Sequence, residues 1–199
     1  MTPVAIGLRA QRGGAVVVAV DGEPRVVFSG FMETAEAGDR TAFEPYHLAA
    51  EIWAADADRD KARAVVDEGR KRQDALAASG LGAIVAGLRD RGFDVVKAVL
   101  LVNRAGWVTD LFAYSLAYAD HPPVAEGLAV RDALRFAVRE LGIPLVESDE
   151  KGLPGLASAV LGRGEAAIEA ELKVLGAGIK PWRKEQKLAC LAAWLALFR

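Results

Sequence analysis

Near the end of the chain, Lys180, Arg183, Lys184 and Lys187 recur at spacings of three and four residues, which gathers their cations on one face of a helix. Cations in the first turn of a helix sit at the positive end of its dipole, at a cost of roughly 0.3 kcal/mol or more each. A bound anion would offset that cost, and Trp182 among them offers a ring that can stack on a base. These five residues are the expected anion site. The plainer reading of the same residues is a solvated basic face partnered by Glu185, with Trp182 as a packing anchor. Acid–base chemistry has three candidates: His47 after Pro45-Tyr46, His121 before Pro122-Pro123, and Glu185 inside the basic quartet. An imidazole titrates near neutrality and can take up and return a proton there. No spacing brings His47 and His121 together, and a hydrogen-bonded structural histidine is the simpler account of each.

The remaining polar sets point less far. Arg9, Gln11 and Arg12 precede Gly13-Gly14 at a turn that has no Ser or Thr to cradle a phosphate. Glu126, Arg131 and Asp132 fall on a helix after Pro122-Pro123 and read as surface residues. Glycine-rich phosphate loops, zinc-ligand spacings and nucleophile elbows do not occur. Neither a cofactor nor a metal site is expected.

The elements that must position these groups are legible in the apolar pattern. Residues 4–8, 15–20 and 25–31 are β-branched runs joined by Gln11-Arg12-Gly13-Gly14 and Asp21-Gly22-Glu23-Pro24, the signature of a three-stranded antiparallel meander. Gly30 in the third run implies a bulge or a close backbone approach. Pro45 opens a helical region up to residue 91, with breaks expected near Gly69 and Gly80 to Gly82. Residues 94–102 form an apolar run read as a central strand buried on both faces. Val108, Leu111, Phe112, Ser115 and Leu116 mark a helix over 107–119. The next helix carries a stripe at Val124, Leu128, Leu134, Val138 and Leu141, and Gly142 ends it. Residues 143–147 are a short strand that Pro144 confines to a sheet edge. A loop through Leu153-Pro154-Gly155, helices up to Leu175, a break at residues 176–178 and a last helix opened by Pro181 complete the order, the last helix with its apolar stripe at Leu188, Leu191, Leu195 and Phe198.

With 199 residues, 52% hydrophobic and 26% charged, the chain suffices for one soluble globular domain with a substantial core. Its net charge of −2 and pI near 5.8 remove any general electrostatic case for nucleic-acid binding, which rests on clustered Lys and Arg. The single cysteine, Cys190, lies in an apolar stretch and reads as core. No basic stretch leads into an apolar one at the start, and residues 188–198 fall well short of the roughly 20 needed to span a bilayer. The expectation is a cytoplasmic protein that meets no membrane.

The stretch VAIGLRAQRGGAVVVAV, a third strand, the run VVKAVLLVN and the terminal KEQKLACLAAWLAL together resemble the Holliday-junction resolvase branch of the ribonuclease H-like superfamily, and small bacterial proteins that carry its core. Actin-like ATPase domains begin with a similar hairpin, but use Gly and hydroxyl groups to cradle phosphate. The resemblance implies an α/β fold: a five-stranded mixed sheet ordered 3-2-1-4-5, its first three strands an antiparallel meander, flanked by helices. It is expected as a single domain over residues 1–199 with a helical insertion around 45–91. Nucleases of that superfamily are similar in holding two Mg²⁺ ions on an Asp of the first strand, an acid of the fourth strand and one or two Asp of the last helix. Those positions fall here on Leu8, near Val96 or Lys97, and near Lys187; only a slip of one or two residues brings in Glu185.

Two functional readings follow from the resemblance. In the first, the domain has lost the metal-binding acids and serves as a binding or assembly module, with an anion site at the last helix; its partners would be an anionic ligand or nucleic acid. Trp53, Trp107, Trp182 and Trp194, many large rings for this length, add a homo-oligomer to that expectation. In the second, the chain is a metal-dependent nuclease or other phosphoester hydrolase whose site has moved to Glu185, His47 or His121.

Overall fold

A computed structural model describes residues 1–103, 108–118 and 122–198, with Pro122 and Pro123 as backbone only. Strands β1 (Thr2–Gln11), β2 (Gly14–Asp21) and β3 (Val26–Glu33) form the meander. Gln11 pairs with Gly14, so Arg12 and Gly13 alone make the first turn, with Gly13 at φ +78°. The second turn is tied by Asp21, whose carboxylate accepts from the Arg25 backbone N–H at 3.0 Å and from its guanidinium at 2.7 and 3.0 Å. The register shift in β3 lies opposite Ala19 and Val20, not at Gly30; Gly30 instead admits the Phe28 ring, which a Cβ there would meet at 2.9 Å.

β4 (Phe93–Val102) runs parallel to β1, and β5 (Leu145–Asp149) runs parallel to β4, giving the order β3-β2-β1-β4-β5. The expected sheet order is therefore present, with β5 at an edge just after Pro144, whose carbonyl accepts from Ala98 N–H. β4 is fully buried only from Ala98 to Leu101. Its first half is not buried on both faces as expected, because β5 begins only opposite Ala98 and leaves Asp94 and Val96 open to solvent.

Three helices follow β3: α1 (Arg40–Phe43), α2 (Pro45–Asp56) and α3 (Arg59–Asp90). The chain breaks at Ala57, which takes a left-handed φ of +52°, and restarts at Asp58, whose side chain caps Lys61 N–H. The breaks expected at Gly69 and Gly80 to Gly82 do not occur. α3 is continuous over 32 residues, and Gly69 and Gly80 are contact points: a Cβ on Gly69 would lie 2.3 Å from Thr41 O, and one on Gly80 2.8 Å from the Met32 side chain.

α4 (Leu111–Ala117), capped by Asp110, and α5 (Pro122–Glu140) lead to β5. α5 buries Ala125, Ala129, Ala133 and Ala137 beside Val130, Leu134 and Val138. Small side chains there let α3 and α5 approach, and Val124 at the head of the expected stripe is left exposed. α6 (Leu153–Leu161) starts where a loop was expected, since Pro154 fits the first helical turn. α7 (Glu165–Leu175) follows. α8 (Lys184–Ala196) begins three residues beyond Pro181, with the Arg183 N–H donating to Gln186 Oε1 at 3.0 Å.

Apolar layers cover both sheet faces. Ala5, Val16, Val18, Val99 and Leu101 pack under α6, α7 and α8, whereas Ile6, Leu8, Val17, Ala98 and Leu100 pack under α3 and α5. Cys190 is core, and burial pushes its thiol up to about 12. α8 lies so near β1 that a Cβ on Gly7 would fall 1.9 Å from Ala189 O; no residue but glycine fits. Among the described residues, no helix is long and apolar enough to cross a membrane.

Candidate functional site

β1, β4 and β5 are parallel, so their carboxyl ends share one edge of the sheet. Beyond that edge, between the ends of β4 and β5 and the middle of α5, lies an open pocket of about 650 Å³ whose polar walls are Asn103, Arg131, Asp132, Arg135, Glu147 and Asp149. A crevice outside the carboxyl ends of parallel strands is where open α/β sheets gather ligands, because loops rather than layers bound it.

The charges around this pocket are mostly paired. Arg135 donates Nη1 to Asp132 Oδ1 and Nε to Glu147 Oε1, both at 2.6 Å, which holds the Glu147 carboxyl below its ordinary value. Arg70 Nη1 reaches Asp132 Oδ2 at 3.2 Å. Arg9 at the end of β1 makes a two-bond fork with Glu150, 3.0 Å on each arm, the planar geometry a guanidinium offers a carboxylate. Arg131 differs. Only 9% exposed, it donates Nη1 to Asn103 Oδ1 at 2.8 Å, its Nε has no acceptor, and among the described residues no carboxylate lies within ion-pair distance. Burial, then the neighbouring Arg135, lowers its pKa. Across the pocket, Asp149 Oδ2 accepts from Gly152 N–H at 2.8 Å while its Oδ1 is buried with no donor.

Glu126 and Arg131 are not surface residues. Glu126 is 1% exposed, and its Oε1 accepts from the backbone N–H groups of Tyr46 and His47 at 2.9 and 3.0 Å. It thus serves the N-terminus of α2, where Glu44 makes no side-chain cap. Burial raises its pKa to about 7 even against those two donors, and Oε2 has no partner among the described residues. A surface reading failed here because α5 is covered by α2 and α3 on the side that carries Glu126.

The sequence-derived candidates do not assemble. His47 Nε2 lies 3.2 Å from Glu51 on the outside of α2; His121 and Trp107 fall outside the described residues. Glu185 is half-buried in the first turn of α8. Of the basic quartet, Lys184 and Lys187 share the wall of a groove among α6, α7 and α8 with Glu165 and Glu169, and Lys187 Nζ already bonds Glu169 at 2.6 Å. Lys180 and Arg183 are exposed. Trp182 is a packing anchor: its Nε1 donates to Leu172 O at 2.8 Å and its ring fills the space a Cβ on Gly176 would need. Trp194 is buried and Trp53 half-buried. Arg135, Glu147 and Asp149 were missed and Arg131 was read as surface, although it stands in the gap of the α5 stripe between Leu128 and Leu134, an odd place for a cation.

No protein-family model matches the chain, and no curated protein matches it in sequence. Among solved structures, it is similar to Thermus thermophilus RuvC in complex with a Holliday junction substrate, with a TM-score of 0.53 and 11% identity over 98% of this chain and 92% of that one. A second Thermus thermophilus RuvC structure matches with a TM-score of 0.48 and 16% identity, over 98% of this chain and 93% of that one. The likeness to the junction complex and the strand order agree. The fold is ribonuclease H-like.

Within this ribonuclease H-like frame, Leu8, Lys97 and Lys187 do not meet. Leu8 points into the α3–α5 layer, away from α8. Lys97 Nζ donates to Ala196 O at 3.0 Å, at the far end of α8 from Lys187; nine residues of helix separate those ends by about 13 Å. On the α8 side, β1 offers Gly7 and then Arg9, a residue later than the alignment suggested. Among the described residues, no three of His, Cys, Asp and Glu come together in a way that could hold a metal ion.

Proposed function

We propose that this chain is a ribonuclease H-like module that binds rather than cleaves, with its ligand at the carboxyl end of the sheet. The observation that carries the reading is the contact of α8 with β1. A Cβ on Gly7 would overlap Ala189 O at 1.9 Å, so backbone excludes a first-strand acid at Gly7, and the next β1 residue on that side is the cation Arg9. Further support comes from the side chains around it. Arg9 is forked to Glu150, Lys97 bonds the carbonyl end of α8, and Lys187 is tied to Glu169. Two divalent cations need several hard oxygen ligands converging with net negative charge, and these residues do not fit them.

For the ligand, the end of the sheet is better supplied than the α8 quartet. At the quartet one ammonium already has a carboxylate and the indole N–H already has a carbonyl. At the sheet end Arg131 has no acid within ion-pair distance among the described residues. The solved neighbour's partner, a Holliday junction substrate, supplies the test. A four-way DNA junction incubated with the full chain and Mg²⁺ or Mn²⁺ is expected to stay intact, and neither ion is expected to raise Tm, since an ion bound only by the folded state must stabilise it. Ion-dependent cleavage accompanied by a rise in Tm overturns the reading.

A further inference from the structure

We infer that the pocket at the ends of β4 and β5 takes a small carboxylic acid that also carries an ammonium or hydroxyl donor, with its carboxylate on Arg131 and its donor toward Asp149. This rests on the reading of that pocket as the ligand site and adds the chemistry of what fills it.

Three observations converge on that class. First, Arg131 is nine-tenths buried with a single acceptor, Asn103 Oδ1, for its five N–H donors, and no carboxylate in reach among the described residues. A buried guanidinium without an anion is costly, and a carboxylate can meet it with two parallel bonds. Second, the wall opposite is acidic. Glu147 and Asp149, at the end of β5, face α5 across the pocket, while Asp132 stands beside Arg131 on α5 itself, and both inner arms of Arg135 are held by Asp132 and Glu147. One open cation among three carboxylates repels a dianion such as a phosphomonoester, but accepts a single negative charge accompanied by a positive or donating group. Third, Asp149 lines the pocket, and its carboxylate is already oriented, Oδ2 by Gly152 N–H and Oδ1 by burial, with no donor to Oδ1 among the described residues. The volume of about 650 Å³ is in the range of small-molecule sites and leaves room for a side chain.

The test is a thermal-shift and calorimetric screen of the full chain against the twenty standard amino acids and simple 2-hydroxy acids, with acetate, inorganic phosphate and AMP as comparison probes. At about 100 times its Kd, the right ligand is expected to raise Tm by about 5–10 °C. Arg131→Gln is expected to weaken it about tenfold or more. Because Arg131→Gln could also unfold the chain, Asp149→Asn provides the second reading: it leaves Arg131 intact and is expected to weaken an amino acid more than acetate. If no amino or hydroxy acid binds, if binding survives both substitutions, or if phosphate or AMP alone binds, the inference is overturned. Any of these results leaves the junction and metal-ion tests standing, so the two readings fail separately.

Discussion

Where α8 lies on β1 the two meet as backbone on backbone, with Gly7 beneath Ala189 and apolar side chains around them. Where β4 and β5 end against α5, the walls are guanidinium and carboxylate groups, two of them with buried atoms that lack partners among the described residues. The first region is closed by van der Waals contact and tolerates no added atom. The second is open and charged, and Arg131 Nε and Asp149 Oδ1 lack partners there among the described residues. In one and the same fold, the first strand and the last helix meet in close packing at Gly7, while charged residues lie at the ends of β4 and β5. A core filled to crystal-like density cannot also host a cluster of solvated ions, so the two regions exclude one another's roles.

That contrast can be broken most directly at Gly7. Gly7→Asp, which supplies a first-strand acid, is expected to destabilise the fold by about 4 kcal/mol or more through overpacking against Ala189 O; a urea titration showing less than about 1 kcal/mol would mean that α8 can lift away. Glu126 gives the next largest effect. Its folded-state value of about 7 lies above the ordinary 4.5, so the folded chain holds a proton that the unfolded chain releases. This contribution is present below pH ~4.5 and is lost as pH rises through ~7, a change of about 3 kcal/mol. Glu126→Gln keeps the acceptor for the Tyr46 and His47 N–H groups and is expected to remove that slope; equal pH profiles for the two proteins would show that the carboxyl is ionised when buried. At the pocket, Arg131→Met is expected to stabilise the ligand-free chain by about 1 kcal/mol, because an apolar isostere relieves a buried charge with no acid partner. A loss of stability of that size would make Arg131 a structural strut instead. The smallest effect belongs to Lys187 and Glu169. A double-mutant cycle is expected to give under about 0.5 kcal/mol and to vanish at 1 M salt, as for pairs at the surface; a larger, salt-insensitive coupling would extend the close-packed region to the mouth of the α6–α8 groove.

Most of the fold was legible in the chain itself, because the hydrogen-bonded turns and apolar periods that specify a meander and an edge strand are local. The Asp21-Gly22 turn and Pro144 act on their own neighbours, and each appears in the structure where the residues imply it. Glycine misled in α3, where Gly69 and Gly80 mark approach by other elements and not interruption. The helix breaks instead at Ala57, a residue with no turn signature.

The site was hardly legible at all. Clustered cations near residue 184 stand out in a linear reading, yet their partners come from α7, nearly twenty positions away. Arg131, Glu147 and Asp149 look like ordinary helix and strand-end residues until β5 is laid beside β4. By itself, then, the order of residues determined the meander, the strand and helix segments and the edge strand after Pro144, since those follow from hydrophobic period and turn chemistry, whereas the sheet order was implied only by the resemblance. Tertiary structure alone decided that Leu8 faces away from α8, that Gly7 is roofed by a carbonyl and that Arg131 is buried with no acid at ion-pair distance among the described residues. Burial and partnership depend on which distant segment arrives, and that information is carried by no single stretch of the chain.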